Sequence, residues 1–521
     1  MARHRETRQM PGNLNNDVYT KRRRIAELAA RSPEMGFTSL NHLIDLAWLE
    51  EAYRRTRKSG APGVDGQTAR EYEENLRENL ENLLDRAKSG TYRAPPVLRK
   101  HIPKGSGSET RPIGIPTFED KILQRAVLML LEPIYEQDFY EGSYGFRPDR
   151  SPHDALNALW KETMRISGGW ILEVDLRKFF DTLDHTHLRD FVQRRIRDGV
   201  VRRLIGKWLK AGVMEDGNVS YPESGSPQGG CISPILANIY LHYVLDTWFE
   251  TEVKPRLPGG ATLIRFADDF VIVFTNREAA LRVMELLPKR CAEFGLTVHP
   301  DKTRLIDFRH PSNSGRKRDG KPDPDTFDLL GFTHYWGKSR KGAWIVKRRT
   351  MSKRFTRAVR SIYQWCRDHR HLPVRVQWDK LCQKVRGHYA YYGVTGNGRM
   401  LDRFLCVVER AWRKWLDRRN RERRLTWDQF NRLKKRYPLP LPKIIPPGQH
   451  AGIMVSMNRM DVSNVGTFAA PERKENGHDR VSFRHFVTLA LSHSAGRLFA
   501  TRAPIHNIHF RSGPIRWEDQ L

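Results

Sequence analysis

Thr262-Leu263-Ile264-Arg265-Phe266-Ala267-Asp268-Asp269-Phe270-Val271-Ile272-Val273-Phe274 is the stretch on which the reading of this chain turns. Two apolar runs rich in β-branched and aromatic residues flank a pair of carboxylates, the pattern of two strands joined by a tight turn. An isolated Asp-Asp at a hairpin tip is an ordinary turn former. Its weight changes because a second apolar run, Trp170-Ile171-Leu172-Glu173-Val174-Asp175, also ends on a carboxylate. On neighbouring strands, Asp175 would stand beside Asp268 and Asp269. Three clustered carboxylates repel one another unless cations lie between them, and such hard oxygen ligands suit Mg²⁺. Two such ions about 4 Å apart activate an attacking hydroxyl and stabilise a leaving oxygen in phosphoryl transfer.

Outward from this hairpin, strands alternate with helices. The sequence predicts helices over about 119–136, 152–165 and 277–294, another beginning near Pro234, and an extended hairpin over 92–118 carrying Arg99, Lys100, His101, Lys104 and Arg111. This is an α+β domain with helices packed on antiparallel sheet. Before it, Leu43, Leu46 and Ala47 mark one helical face and Leu76, Leu80, Leu83 and Leu84 another, broken at Gly60-Ala61-Pro62-Gly63. Residues 1–35 read as a mobile basic arm with one short helix. From 338 to 436 strand signals fade: Phe355, Val359, Ile362 and Cys366 make one apolar stripe, and Leu401, Leu405, Val408, Trp412 and Leu416 a second. The expected organisation is an N-terminal arm and helical extension over 1–90, the mixed domain over 91–336, a basic helical domain over 337–437, and a Pro-rich linker with an unassigned tail over 438–521.

At 521 residues, size does not restrict the fold, but charge restricts the partners. Lys and Arg number 91 against 60 Asp and Glu, a net charge of +31, and 338–436 alone holds 30 against 7. Basic residues interleaved with Trp, Tyr and Phe point to nucleic acid ahead of a membrane surface. No run approaches the roughly 18 apolar residues of a membrane span and no secretory signal is present, so a cytoplasmic protein is expected. The cysteines Cys231, Cys291, Cys366, Cys382 and Cys406 lack metal or disulfide spacing and read as reduced thiols.

Further motifs stand in order around the carboxylates: Gly60-Ala61-Pro62-Gly63-Val64-Asp65-Gly66, Arg111-Pro112-Ile113-Gly114-Ile115-Pro116, Ser143-Tyr144-Gly145-Phe146-Arg147-Pro148, Gly225-Ser226-Pro227-Gln228-Gly229-Gly230, Lys302-Thr303 and Leu330-Gly331-Phe332. With Asp175 through Asp181 and Phe266 through Asp269, this series resembles the reverse-transcriptase domain of group II intron-encoded proteins, over about residues 60–435. Phe266 stands where the family more often has Tyr. Val385-Arg386-Gly387-His388-Tyr389-Ala390-Tyr391-Tyr392-Gly393 resembles the family's maturase, or thumb, signature.

The resemblance implies a right-hand polymerase of fingers and palm followed by an α-helical thumb, using two Mg²⁺ ions on Asp175, Asp268 and Asp269. It assigns Lys302 as general acid toward pyrophosphate, Lys104, Arg111 and Gln228 to the incoming deoxynucleoside triphosphate, and Phe180 to exclusion of a ribose 2′-hydroxyl. Leu330, Gly331 and Phe332 would hold the primer end. Arg386, His388, Tyr389, Tyr391 and Tyr392 would contact RNA, the rings stacking on unpaired bases. The implied partners are an RNA template, a DNA primer or target and the parent group II intron RNA. Each residue also has a plainer reading, as solvated basic hairpin, core ring or Gly-containing turn. A C-terminal HNH endonuclease is not expected, and His485, His493, His506 and His509 read as ordinary surface residues. A splicing-only RNA-binding maturase, and a reverse transcriptase serving defence or CRISPR adaptation, are the alternatives.

Overall fold

The computed structural model describes residues 12–103, 110–221, 225, 229–312, 325–419 and 424–445. Lys104, Gln228 and the tail from 446 onward, with its scattered histidines, lie outside the described residues.

The chain opens on α1 (Gly12–Arg31), α2 (Leu46–Arg55), α3 (Ala69–Glu74) and α4 (Leu76–Ser89), followed by β1 (Val97–Pro103), β2 (Thr110–Ile115) and α5 (Phe118–Asp138). Local chemistry sets several starts. Asp45 accepts from Trp48 N–H, Thr68 and Glu71 form a capping box, and Thr117 accepts from Asp120 N–H. The helix α1 is not the free arm that its composition suggests. Val18, Ile25 and Ala29 are buried, and Arg22 donates to Glu132 of α5 at 2.6 Å. The apolar face expected at Leu43, Leu46 and Ala47 is also displaced: the helix begins at Leu46, and Trp48, Leu49, Ala52 and Tyr53 meet the core.

Next come α6 (Pro152–Arg165), β3 (Trp170–Asp175), α7 (Phe179–Thr182), α8 (His185–Arg195), α9 (Gly199–Leu209), β4 (Val213–Glu215), β5 (Asn218–Ser220) and α10 (Ser233–Leu241). The helix then widens into π-helical turns over His242–Asp246 and Trp248–Val253. After it follow β6 (Ala261–Phe266), β7 (Asp269–Phe274), α11 (Arg277–Glu293) and β8 (Arg304–Asp307). Strand β3 runs between β7 and β8 in the antiparallel sheet β6-β7-β3-β8. Alternate residues point to opposite faces: Ile171 joins Ile264, Val271 and Val273 on one side, and Leu172 and Val174 join Phe270 and Ile272 on the other. Burial on both faces explains the continuous apolar run. A second sheet has the order β2-β1-β4-β5, antiparallel except for β1 with β4.

The last part holds β9 (Phe327–Leu329), β10 (Phe332–Lys338) and β11 (Trp344–Thr350) in an antiparallel sheet, then α12 (Ser352–Asp368), α13 (Val374–Tyr392), α14 (Gly398–Asp417) and α15 (Trp427–Arg436). Strand structure thus persists to residue 350, past the expected boundary at 337. The inward positions of β11 are Val346, Arg348 and Thr350, so a buried arginine disguises its two-residue period. Both helical stripes pack as expected, with Leu405 only partly buried. The segment 438–445 is extended but not a free spacer: Leu439 and Ile445 are buried, Trp378 Nε1 donates to Pro438 O at 2.8 Å, and Ile445 N–H to Gly393 O at 2.7 Å. Among the described residues all five cysteines are free thiols, and no helix is long and apolar enough to cross a membrane.

Candidate active site

The antiparallel register pairs Asp175, the last residue of β3, with Asp269, the first of β7, and pairs Asp269 in turn with Phe266 of β6. Ala267 and Asp268 form the turn between β6 and β7. Ala267 has φ of 57°, a left-handed conformation that costs a non-glycine residue on the order of 1–2 kcal/mol. Its surroundings hold it there. Gly145 approaches so closely that a Cβ on it would lie 2.2 Å from Ala267 N.

Arg265 supplies the second restraint. Its side chain is fully buried, and Nη1 donates to Ala267 O at 3.1 Å and to Asn238 Oδ1 at 3.0 Å. Nη2 donates to Ser143 Oγ at 2.7 Å and to Asp246 Oδ2, and Nε donates to Asp246 Oδ1 at 2.8 Å. Asp246 lies in the π-helical turn after α10, and Asn238 Nδ2 closes the network on Gly145 O at 2.7 Å. Such a pair is tolerable in the interior only because its polar atoms are so fully engaged. It ties the turn to α10 and to the 143–145 loop.

Burial raises the Asp268 carboxyl above the ordinary range, against its own backbone N–H and the charge of Arg111 on β2. Burial, then the like charges of Asp268 and Asp175, push Asp269 up to about 6. Asp269 still keeps an exposed edge, so crowding by protein and solvent contact coexist there. Arg354, in the first turn of α12, opposes that rise. Lys302 Nζ pairs with Asp175 Oδ2 at 2.7 Å, carried by a segment that docks on the end of β3 through His299 N–H to Asp175 O at 2.8 Å.

Among the described residues, no three His, Cys, Asp or Glu side chains converge as a ready ligand set, and Lys302 occupies one Asp175 oxygen. Electrostatics favours a cation: the charge of Asp175 raises Asp268, the charges of Asp268 and Asp175 raise Asp269, and a bound divalent ion relieves that repulsion. All three are hard oxygen donors, the type Mg²⁺ takes.

Phe180 on α7 is 8 % exposed and packs edge-on to Phe179 at 5.3 Å. Gly225 N–H donates to Leu183 O at 2.8 Å, and a Cβ on Gly229 would meet Gly114 O of β2 at 2.2 Å. Glycine at 225 and 229 lets the backbone bridge α7 and β2. Leu330 and Gly331, with φ of 49° and 81°, make a two-residue hairpin turn between β9 and β10. Phe332 is fully buried with Leu156 and Val394, so any primer contact must come from the turn itself.

The expected base-stacking rings are turned inward. Tyr391 OH donates to Leu330 O at 2.9 Å, Tyr392 packs on Phe332, His388 stacks on Phe404 at 3.7 Å, and Tyr389 is buried. In this arrangement Tyr391 and Tyr392 brace the 330–331 turn against α13, and only Arg386 of that set is exposed. Sequence reasoning missed Arg265, Asp246 and Arg354. One signal for Arg354 was legible: Lys353 and Arg354 lie in a first turn with no acidic residue, against the helix dipole.

With this geometry in place, comparison with known proteins is informative. Residues 102–334 match the family model for reverse transcriptase (RNA-dependent DNA polymerase). The protein YkfC of Escherichia coli K12 is 36% identical over 327 residues, covering 55% of this chain and 84% of YkfC. The group II intron-encoded protein LtrA of Lactococcus lactis subsp. cremoris is 44% identical over 167 residues, covering 32% of this chain and 27% of LtrA. An uncharacterized 91 kDa protein in the cob intron of Schizosaccharomyces pombe is 37% identical over 282 residues, covering 44% and 34%. The chain thus spans about a third or less of these two intron proteins.

Proposed function

The chain belongs to the family of group II intron-encoded reverse transcriptases and maturases, and from that premise we propose that it copies RNA into DNA at the 267–268 turn and binds its parent intron RNA to assist splicing and mobility. Its reverse-transcriptase domain is that of an RNA-directed DNA polymerase. The carrying observation is the cross-strand pairing of Asp175 with Asp269 beside Asp268. A right-hand reading follows, with β2-β1-β4-β5 as fingers, β6-β7-β3-β8 as palm and α12–α15 as thumb.

Asp175, Asp268 and Asp269 would hold two Mg²⁺ ions. Bound there, the ions supply activation of the primer hydroxyl and neutralisation of phosphate charge. Arg111 exerts its charge on Asp268 and is the donor for the triphosphate, with Lys104 and Gln228 as further nucleotide contacts. Lys302, held against Asp175, carries the proton proposed to pass to pyrophosphate. Phe180 is the proposed sugar gate: it is 8 % exposed, and the Gly225 backbone packs against its carbonyl oxygen. The turn at 330–331 receives the primer end, and Arg386 is the exposed RNA contact on α13.

Purified protein with an RNA template, a DNA primer, deoxynucleotides and Mg²⁺ should extend the primer, and added to its flanking intron RNA it should accelerate splicing at low Mg²⁺. Extension with no effect on that splicing would leave the polymerase and remove the maturase half of the proposal. No extension would remove the polymerase half.

A further inference from the structure

A concavity of about 740 Å³ lies between α8, α9 and residues 92–96 leading into β1, none of which carries a carboxylate of the candidate active site. Six cations line it, Arg93, Arg189, Arg202, Arg203, Lys207 and Lys210, and no Asp or Glu does. A smaller concavity of about 530 Å³ shares Gly199 and Arg203 with it and adds Lys88, so the trough continues across the start of α9, past one carboxylate, Asp198, that the backbone N–H groups of Leu40, Asn41, Val200 and Val201 engage.

The walls are built rather than incidental. Helix α9 is amphipathic: Val201, Leu204, Ile205 and Trp208 are buried, which leaves Arg203, Lys207 and Lys210 at i, i+4 and i+7 along the other face. Lys207 Nζ donates to Gly90 O at 2.7 Å and to Tyr92 O, clamping the far wall onto the helix. Beneath it the Asp120 carboxylate accepts from Tyr92 OH at 2.5 Å and Trp208 Nε1 at 2.7 Å, fixing wall and helix together from the buried side. A Cβ on Gly199 or Gly206 would meet nothing within 4 Å, so the floor is open. At the rim Tyr221 is 72 % exposed. Arg93, Arg203 and Lys210 are exposed and, among the described residues, their side chains have no hydrogen-bond or ion-pair partner.

Cations crowded into a concavity without counter-charge repel one another and focus a positive potential into it. The ligand that relieves this must carry several negative charges spaced along its length, and an exposed ring at the rim favours one that also carries stackable groups. We propose that this trough binds the phosphodiester backbone of a nucleic-acid strand, at a place separate from the carboxylate turn. The inference rests on reading the chain as an enzyme that handles nucleic acid. It adds a holding site for strand away from the point of synthesis.

The test uses the full chain and unstructured 20-nucleotide RNA and DNA, with affinity measured between 50 and 200 mM KCl. Each phosphate contact on a single strand contributes about 0.7 to the slope of log affinity against log salt. Replacing Arg93, Arg203 and Lys210 together by Gln should therefore flatten the slope by about two, equally for different sequences. Replacing Arg23, Arg77 and Lys254 by Gln removes the same charge from surface positions that pair with local carboxylates, and should leave the slope nearly unchanged. A change with RNA alone assigns the trough to RNA, with DNA alone to DNA; either supports the proposal. Equal slopes in the two triple variants would overturn it. So would displacement of the strand from the trough by millimolar pyrophosphate, which would make it a small-anion site, or by polyglutamate, which would make it a site for an acidic protein. Acylation of Lys210 in the unmodified protein should fall when RNA is bound, a readout that does not depend on the variant folding. Primer extension at saturating template separates the two readings: an unaltered slope with active extension refutes the trough alone, and a flattened slope in an inactive protein refutes the polymerase alone.

Discussion

Replacing Arg265 by Met, which keeps the length and loses the guanidinium, should uncouple folding from catalysis in a way that can be measured. The substitution leaves the Asp246 carboxylate, 1 % exposed, without its bidentate partner. Breaking a buried pair by removing one member costs about 3–5 kcal/mol, a large part of the 5–15 kcal/mol typical of a domain. It also removes the donor from Ala267 O, the atom that holds the left-handed residue before Asp268. The double variant Arg265→Met with Asp246→Leu restores an uncharged interior, so most of the lost stability should return. The Ala267 tether does not return. Thermal melts and single-turnover extension on the same preparations should show the single variant destabilised and slow, and the double variant near the unmodified melting temperature yet still at least about tenfold slow, a barrier increase of about 1.4 kcal/mol. If the double variant recovers both stability and rate, the network serves the fold alone and its positioning role is wrong.

Other consequences can be checked alongside. Phe180→Ala should narrow the preference for deoxynucleotides over ribonucleotides, measured as the ratio of kcat/KM; unchanged discrimination in an active variant removes the gate assignment. The Asp269 carboxyl is raised to about 6, above its unfolded value near 4. The folded state therefore binds the proton more tightly, and the stability from that proton is present at low pH and lost as pH rises from about 4 through 6. Asp269→Asn should accordingly raise the melting temperature at pH 7.5 relative to the unmodified protein but not at pH 4, and Mg²⁺ should stabilise the unmodified protein more than the variant. Tyr391→Phe deletes the hydrogen bond to Leu330 O and should weaken primer binding by about fivefold, the equivalent of about 1 kcal/mol, with kcat little changed; a fall in kcat at constant KM would place the turn in chemistry instead.

The carboxylate-bearing sheet was legible because its signal is local. Apolar strands ending on Asp175 and flanking Asp268 and Asp269 need only alternation and a turn to be placed side by side. What escaped depended on distant partners. Arg265 is a lone charge inside an apolar strand run, and its burial depends on Asp246, nineteen residues earlier on a π-helical turn, and on Asn238 and Ser143. Arg348 hides β11 in the same manner, a buried charge at an inward position. The tyrosines of α13 look like base-stacking residues because aromatics beside Arg fit that role. Their actual surroundings, Phe332 and the 330–331 turn, are some sixty residues away in the chain. Docking of α1 was equally hidden, since its buried side chains Val18, Ile25 and Ala29 are few amid a basic helix.

The central claim, that the carboxylate turn performs metal-dependent synthesis while RNA is held elsewhere, is tested most directly by Asp268→Asn. The replacement is nearly isosteric, so the hairpin and the Arg265 network should remain. It removes a negative charge that two divalent ions require, at a cost of a few kcal/mol in transition-state stabilisation. RNA-templated primer extension should fall by about a hundredfold or more, while affinity for intron RNA, measured on the same sample, stays close to the unmodified value. Extension at the unmodified rate would contradict the account, and so would an equal loss of RNA binding in a variant that melts normally.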